Sequence, residues 1–172
     1  GAVVVTVFRA AGLAEETGKV MFGRSKKGGT QDPYVRVTLG GVVGSTSSVK
    51  EGGSSCRWGK GKVGESVALP VPPGVSGDAK GGVRSLARAL AGQSLRLEAL
   101  NQQKAPAKSK DILLGSADLP LEEWLGGGAP RWVSLTHKRK PQGRLKVQVA
   151  LRTPDSEAPP GDEETKQEEE KE

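Results

Sequence analysis

The sequence predicts an all-β fold: one eight-stranded antiparallel β-sandwich over residues 1–152, followed by an acidic segment, 153–172, too polar to join it. Three observations lead there. Short β-branched or alternating runs recur along the chain, Gly (25) and Pro (11) punctuate them, and no apolar run reaches the length of a membrane span. With 172 residues the chain is long enough for one proper core and too short for two ordinary ones.

Val3 to Phe8 is continuous and β-branched and runs into Arg9-Ala10-Ala11-Gly12-Leu13, which reads as a core strand and a turn. A long loop, 14–31, leads to Pro33 to Leu39, where Val35, Val37 and Leu39 share one face. Pro33 stands at the first strand position, where a missing N–H is tolerated. Gly40-Gly41 is a tight turn and Val42 to Val49 a polar third strand. The glycine-rich stretch 51–62, with Cys56 and Trp58, precedes a fourth strand, Glu65 to Val71, which Pro72-Pro73 ends. The insert 74–94 surrounds an amphipathic helix, 83–90, whose Val83, Leu86 and Leu90 share a face suited to covering a sheet edge.

Leu95 to Ala99 alternates strictly and makes the fifth strand. After the lysine-rich loop 101–110, Ile112 to Gly115 with Ala117 to Leu121 makes the sixth. Trp132 to Leu135 and Arg144 to Leu151 are the seventh and eighth, joined through Pro141-Gln142-Gly143. Trp58, Trp124 and Trp132 read as core or loop-packing residues rather than ligand platforms.

The net charge of +6 hides an asymmetry. Residues 153–172 hold nine acids against Lys166 and Lys171, so −7, which leaves 24 bases against 11 acids, +13, in residues 1–152. The acidic segment has no aromatic residue and is expected to be disordered. A domain so basic favours anionic partners: a membrane surface, an acidic protein or nucleic acid. The single Cys56 excludes a disulfide framework and any multi-cysteine metal site, which favours a reducing compartment. Ala2 to Val7 carries no basic leader, so a signal peptide is not expected, and the chain reads as part of a longer or processed protein.

The run Gly29-Thr30-Gln31-Asp32-Pro33-Tyr34-Val35 resembles the signature of the C2 domain, a β-sandwich family best known for binding phospholipid membranes, often through calcium. Further likenesses cover nearly all of residues 3–151. They are the Ala10-x-x-Leu13 end of the first strand, Leu114-Gly115 before the run 117–121, and Trp58 where the family has an Asn-Pro-x-Trp turn, though Asn and Pro are missing here. The Val-rich opening and the closing Gly143-x-Leu145-x-Val147-x-Val149 resemble the permuted, type II form of the family.

The resemblance implies a Greek-key sandwich and a calcium site on the first and third apical loops, whose ligand positions are checkable. Asp32 matches. The first-loop acid falls at Lys26, two third-loop acids at Asn101 and Gln103, and the last at Ile112, with Asp111 adjacent but out of register. Calcium needs six to eight oxygens, supplied largely by carboxylates, and Lys26 brings positive charge to where the ion would sit. A calcium-independent member without metal or cofactor is therefore expected. Asp32 itself, at the joint between loop and strand, is by its position either a cation ligand or a loop brace.

Connections leaving odd-numbered strands emerge at one end of such a sandwich, and here those four connections are the basic ones. They carry Lys19, Arg24, Lys26 and Lys27; Arg57, Lys60 and Lys62; Lys104, Lys108 and Lys110; and Lys138, Arg139 and Lys140. Val20-Met21-Phe22 adds an apolar tip that either inserts into a bilayer or tucks under its own loop. The expected function is a peripheral, cytoplasmic targeting module whose basic apical loops bind anionic phospholipid. The alternative is a scaffold module of the same fold that binds an acidic protein. Nucleic acid is disfavoured because the loops lack aromatics to stack bases. No small-molecule substrate or catalysis is expected: His137, the only histidine, has no acid near it in the sequence, Cys56 gains some reactivity from its neighbour Arg57 but has no identified base, and Gly59-Lys60-Gly61-Lys62 lacks the spacing of a phosphate loop.

Overall fold

The computed structural model of the chain describes residues 1–14, 31–71, 82–102, 111–125 and 128–152, the side chains of 82–84 excepted. Its strands are β1 (Ala2–Ala11), β2 (Pro33–Leu39), β3 (Val42–Ser45), β4 (Cys56–Arg57), β5 (Glu65–Pro70), β6 (Ser94–Asn101), β7 (Ile112–Pro120), β8 (Arg131–His137) and β9 (Lys140–Arg152). Two helices, α1 (Gly82–Leu90) and α2 (Leu121–Trp124), complete the described elements.

Every pairing is antiparallel, in the order β3-β2-β6-β7-β8-β9-β1-β4, with β5 beside β1 as well. The sheet folds over at its weakest seam. β7 and β8 share one registered pair, Ser116 with Thr136, so β3-β2-β6-β7 and β8-β9-β1 with β4 and β5 face each other as two layers. The alternating apolar residues line the space between them: Val35, Val37, Leu95 and Leu97 from one layer, Val3, Val5, Leu145 and Val147 from the other, all fully buried. At the far edge β3 comes close to β5, where a Cβ on Gly44 would stand 2.7 Å from Val67 Cγ1, so only glycine lets the layers meet there. Leu86 and Leu90 of α1 are buried at the end of the sandwich where β9 finishes; β9 is an interior strand, so the helix packs on an end of the sandwich rather than on a sheet edge.

Several boundaries differ from those expected. The third strand stops at Ser45, because Thr46 turns its hydroxyl onto the Val35 N–H (3.0 Å) while its own N–H donates to Val35 O (2.9 Å). The fourth expected strand, β5 here, ends at Pro70 rather than Val71. β4 is an additional two-residue strand, too short for any periodicity to reveal, and α2 is a single turn that seats Leu121 and Trp124 in the core.

The change that matters most for the surface is a bulge in β1, where the register to β9 shifts between Val7 and Arg9. Unbroken alternation from Val3, Val5 and Val7 would turn residue 9 inward. The extra residue re-aims the strand instead: Ala10 becomes core and Arg9 faces out.

Candidate functional site

The register brings one end of the sandwich together from six strands. Pro33 pairs with Asn101 and Asn101 with Ile112, Ala11 pairs with Arg144, and the β8–β9 hairpin turns at this end between His137 and Lys140. The described ends of the first, third and fourth expected connections, and the start of the second, therefore lie at this end.

Beneath the loops lies a buried polar brace. Asp32 is 2 % exposed, and its Oδ1 accepts the backbone N–H of Glu51 at 2.8 Å. Its own N–H donates to Asn101 Oδ1 (2.8 Å) and its carbonyl accepts from Gln102 N–H (3.0 Å). Gln31, equally buried, donates through Nε2 to Ala14 O and Gly53 O at 2.9 and 3.0 Å. Three side chains, those of Gln31, Asp32 and Asn101, thus clamp the start of β2 to the turn 50–53, to Ala14 three residues beyond β1, and to the end of β6. The brace alternative for Asp32 is the geometry seen, and the amide at Asn101 serves that same brace. Among the described residues no group of three or more His, Cys, Asp or Glu is placed to hold a metal ion.

Tyr34 O–H donates to Asp111 Oδ2 at 2.6 Å across the same end. Burial, with the Asp111 carboxylate beside it, pushes the phenol up to about 12. Because the neutral phenol is the form the fold favours, its contribution to stability is complete below the ordinary value near 10 and is lost as pH rises towards 12. Tyr34 is the only tyrosine. Its ultraviolet ionisation curve in the folded protein is accordingly expected to have a midpoint near 12, and Asp111→Asn should move it down. A midpoint near 10 in the unaltered protein would contradict the contact.

At the tip, His137 pairs with Lys140 across two residues with positive φ, Lys138 (55°) and Arg139 (70°). Positive φ at both central positions is what a type I′ hairpin demands, and it favours Asn-Gly or Gly-Gly because a Cβ makes the left-handed region costly. The hairpin at the opposite end obeys that preference with Gly40 and Gly41 (53° and 95°). At the basic end the same backbone is built from two exposed cations.

The remaining expected site residues divide. Lys140 is exposed beside this turn. Arg57, Lys60 and Lys62 are not at the tip. Arg57 pairs with Arg9, Trp58 N–H donates to Phe8 O (2.9 Å), and β5 restarts with Glu65 opposite Val7. The turn 59–64 therefore leaves and rejoins the edge of β1 beside Val7 and Phe8, about 10–13 Å short of its end at a rise of about 3.3 Å per residue. Lys19, Met21, Phe22, Arg24, Lys26, Lys27, Lys104, Lys108 and Lys110 lie outside the described residues.

Residues 1–135 match the family described as C2 domain. The chain belongs to the C2 domain family. Solved structures agree on the fold: the C2A domain of a plant Extended Synaptotagmin 1 (19 % identity, 89 % of this chain and 95 % of that one, TM-score 0.59) and a C2 domain-containing protein from a putative elicitor-responsive gene (16 %, 90 % and 90 %, TM-score 0.57). The calcium-bound C2A and C2B domains of Extended-Synaptotagmin 2 are also similar (20 %, 87 % and 44 %, TM-score 0.54). No curated protein sequence matches significantly. The sandwich of this C2 domain continues beyond the matched stretch, since β9 pairs with β1 as far as Arg152.

Three features of this C2 domain escaped the sequence reading. Trp58 and Trp124 are buried as expected, but Trp132 is 37 % exposed, with the guanidiniums of Arg144 and Arg9 over its ring at 4.2 and 5.6 Å. The outer face of the other layer is a neutral ladder in which Arg36 and Arg96 both reach Glu98 (2.9 and 3.5 Å) and Arg96 also reaches Asp118 (3.2 Å). Cross-strand partners of this kind depend on register, which the sequence did not reveal. Cys56, whose neighbour Arg57 suggested some reactivity, is instead pushed by burial to about 12, so its nucleophilic thiolate is scarce at neutral pH.

Proposed function

We propose that this C2 domain is a calcium-independent binding module, not an enzyme, which docks its basic apical end on anionic phospholipid. The observation that carries the reading is the Lys138-Arg139 turn. Strained backbone persists where the surroundings over-determine it and concentrates at functional positions. Two cations in a turn that favours glycine are explained by what they face, and an anionic headgroup layer gains about 1 kcal/mol from each base near its surface. Lys140 belongs to the same contact, and the reading assigns to it Lys19, Arg24, Lys26, Lys27, Lys104, Lys108 and Lys110, with Met21 and Phe22 inserting. Arg57, Lys60 and Lys62 are left out because they stand back along the sheet edge.

Calcium independence is supported by the use of Asp32 and Asn101 as braces, by the lysine at position 26 and by the isoleucine at position 112. The family's known association with membranes gives the lipid reading precedence over an acidic protein partner. Sedimentation with vesicles tests it: binding is expected to anionic and not to zwitterionic vesicles, equally in chelator and in calcium. Binding that requires calcium, or none to either vesicle, would overturn the proposal. If the tip inserts, Phe22→Ala weakens binding by about 1–2 kcal/mol, and that part is insensitive to salt because it is apolar.

A further inference from the structure

Away from the tip, the outer face of β8, β9, β1 and β4 carries a second concentration of positive charge. The register lines up Trp132, Lys146, Arg9 and Arg57 in one row across the four strands, with Arg144 two residues further along β9. At about 4.8 Å per strand the row spans about 14 Å. Among the described residues no carboxylate is within ion-pair distance of Arg9, Arg57, Arg144 or Lys146; the ion pairs found there lie on the opposite layer. Arg9 Nε is moreover buried without a hydrogen-bond partner, a donor for which nothing on the surrounding sheet supplies an acceptor. A groove of about 460 Å³ opens beside it, lined by Arg9, Arg57, Lys50 and Glu51 among others, three cations to one acid.

We propose that this face is the docking surface for the chain's own acidic segment, 153–172. Charge and reach both point to that occupant. The segment carries −7 and follows directly on Arg152, the last residue of β9. From Arg152 back to Lys146 is six residues, about 20 Å of strand. A flexible chain of twenty residues spans about 22–27 Å, and effective concentration is greatest when that length matches the gap. The tip fits less well, because Lys140 is twelve residues back, about 40 Å. Arg9, Arg57 and Arg144 present planar donors that pair with carboxylates two at a time. The inference is independent of the membrane reading, which concerns the other group of cations.

The test is a nitroxide attached to the full chain through Ser156→Cys in a Cys56→Ser background, because Cys56 is only half-buried and lines the groove. Amide intensities are then read by nuclear magnetic resonance. At low salt Arg9, Arg57, Arg144 and Lys146 are expected to lose about half their intensity or more, and to recover it near 1 M salt, where the screening length falls to about 3 Å. Lys146→Glu in the same labelled chain should reduce the loss at Arg9 and Arg57. Losses centred on Lys138 to Lys140, losses spread evenly over the surface, or none would overturn the proposal. So would resonances of this face that ignore the nitroxide and shift only when anionic vesicles are added, since the occupant would then be lipid.

Discussion

Asp32→Ala is expected to lower the melting temperature of this C2 domain by roughly 5–10 °C, by the same amount in calcium and in chelator. The buried carboxylate accepts the Glu51 N–H at 2.8 Å, and its residue is the node at which the turn 50–53, β2 and the end of β6 are tied. A hydrogen bond to a charged group contributes about 1.5–3 kcal/mol, and 1 kcal/mol shifts the melting temperature of a domain of this size by about 2–4 °C. Asp32→Asn keeps an acceptor and should cost less than half as much. A cation ligand would behave in the opposite way: removing it would relieve repulsion in chelator and cost stability only when the ion is present. An Asp32→Ala protein as stable as its parent in chelator would sink the brace.

The layers were legible in the sequence because each strand needs only its own alternation to be seen. Val35, Val37 and Leu39, or Leu145, Val147 and Val149, repeat with period two, and all six are buried. Features that depend on pairing were not. The β1 bulge follows from how Val7 and Arg9 register against β9, and it decides whether Arg9 enters the core or joins the basic row. β4 consists of two residues that pair only because Ala10 and Arg9 pass beside them. Strand order alone puts the 59–64 turn at the apical end, whereas the Trp58 to Phe8 hydrogen bond sets it beside the middle of the edge. Asp32 shows the same limit from the side of chemistry. The motif located the carboxylate, but a ligand and a brace need the same residue at the same joint, and only the Glu51 N–H beneath it separates them.

Exchanging the tip turn, Lys138→Asn with Arg139→Gly, is expected to make the protein more stable and a weaker binder. Relief of two left-handed side-chain-bearing residues, at about 1–2 kcal/mol for each in full, gives a net gain of about 1–2 kcal/mol, since asparagine keeps part of the cost. Removing two bases from the membrane-facing tip costs about 2 kcal/mol of attraction, close to a thirtyfold loss in affinity. These opposed signs are what distinguish cations retained for contact from a turn that tolerates them. The decisive measurement is the partition of the turn-exchanged protein onto anionic vesicles at low salt in chelator, alongside its melting temperature. The account predicts a higher melting temperature with affinity down about thirtyfold. A higher melting temperature with unchanged affinity would contradict it and leave the basic tip a solvated surface.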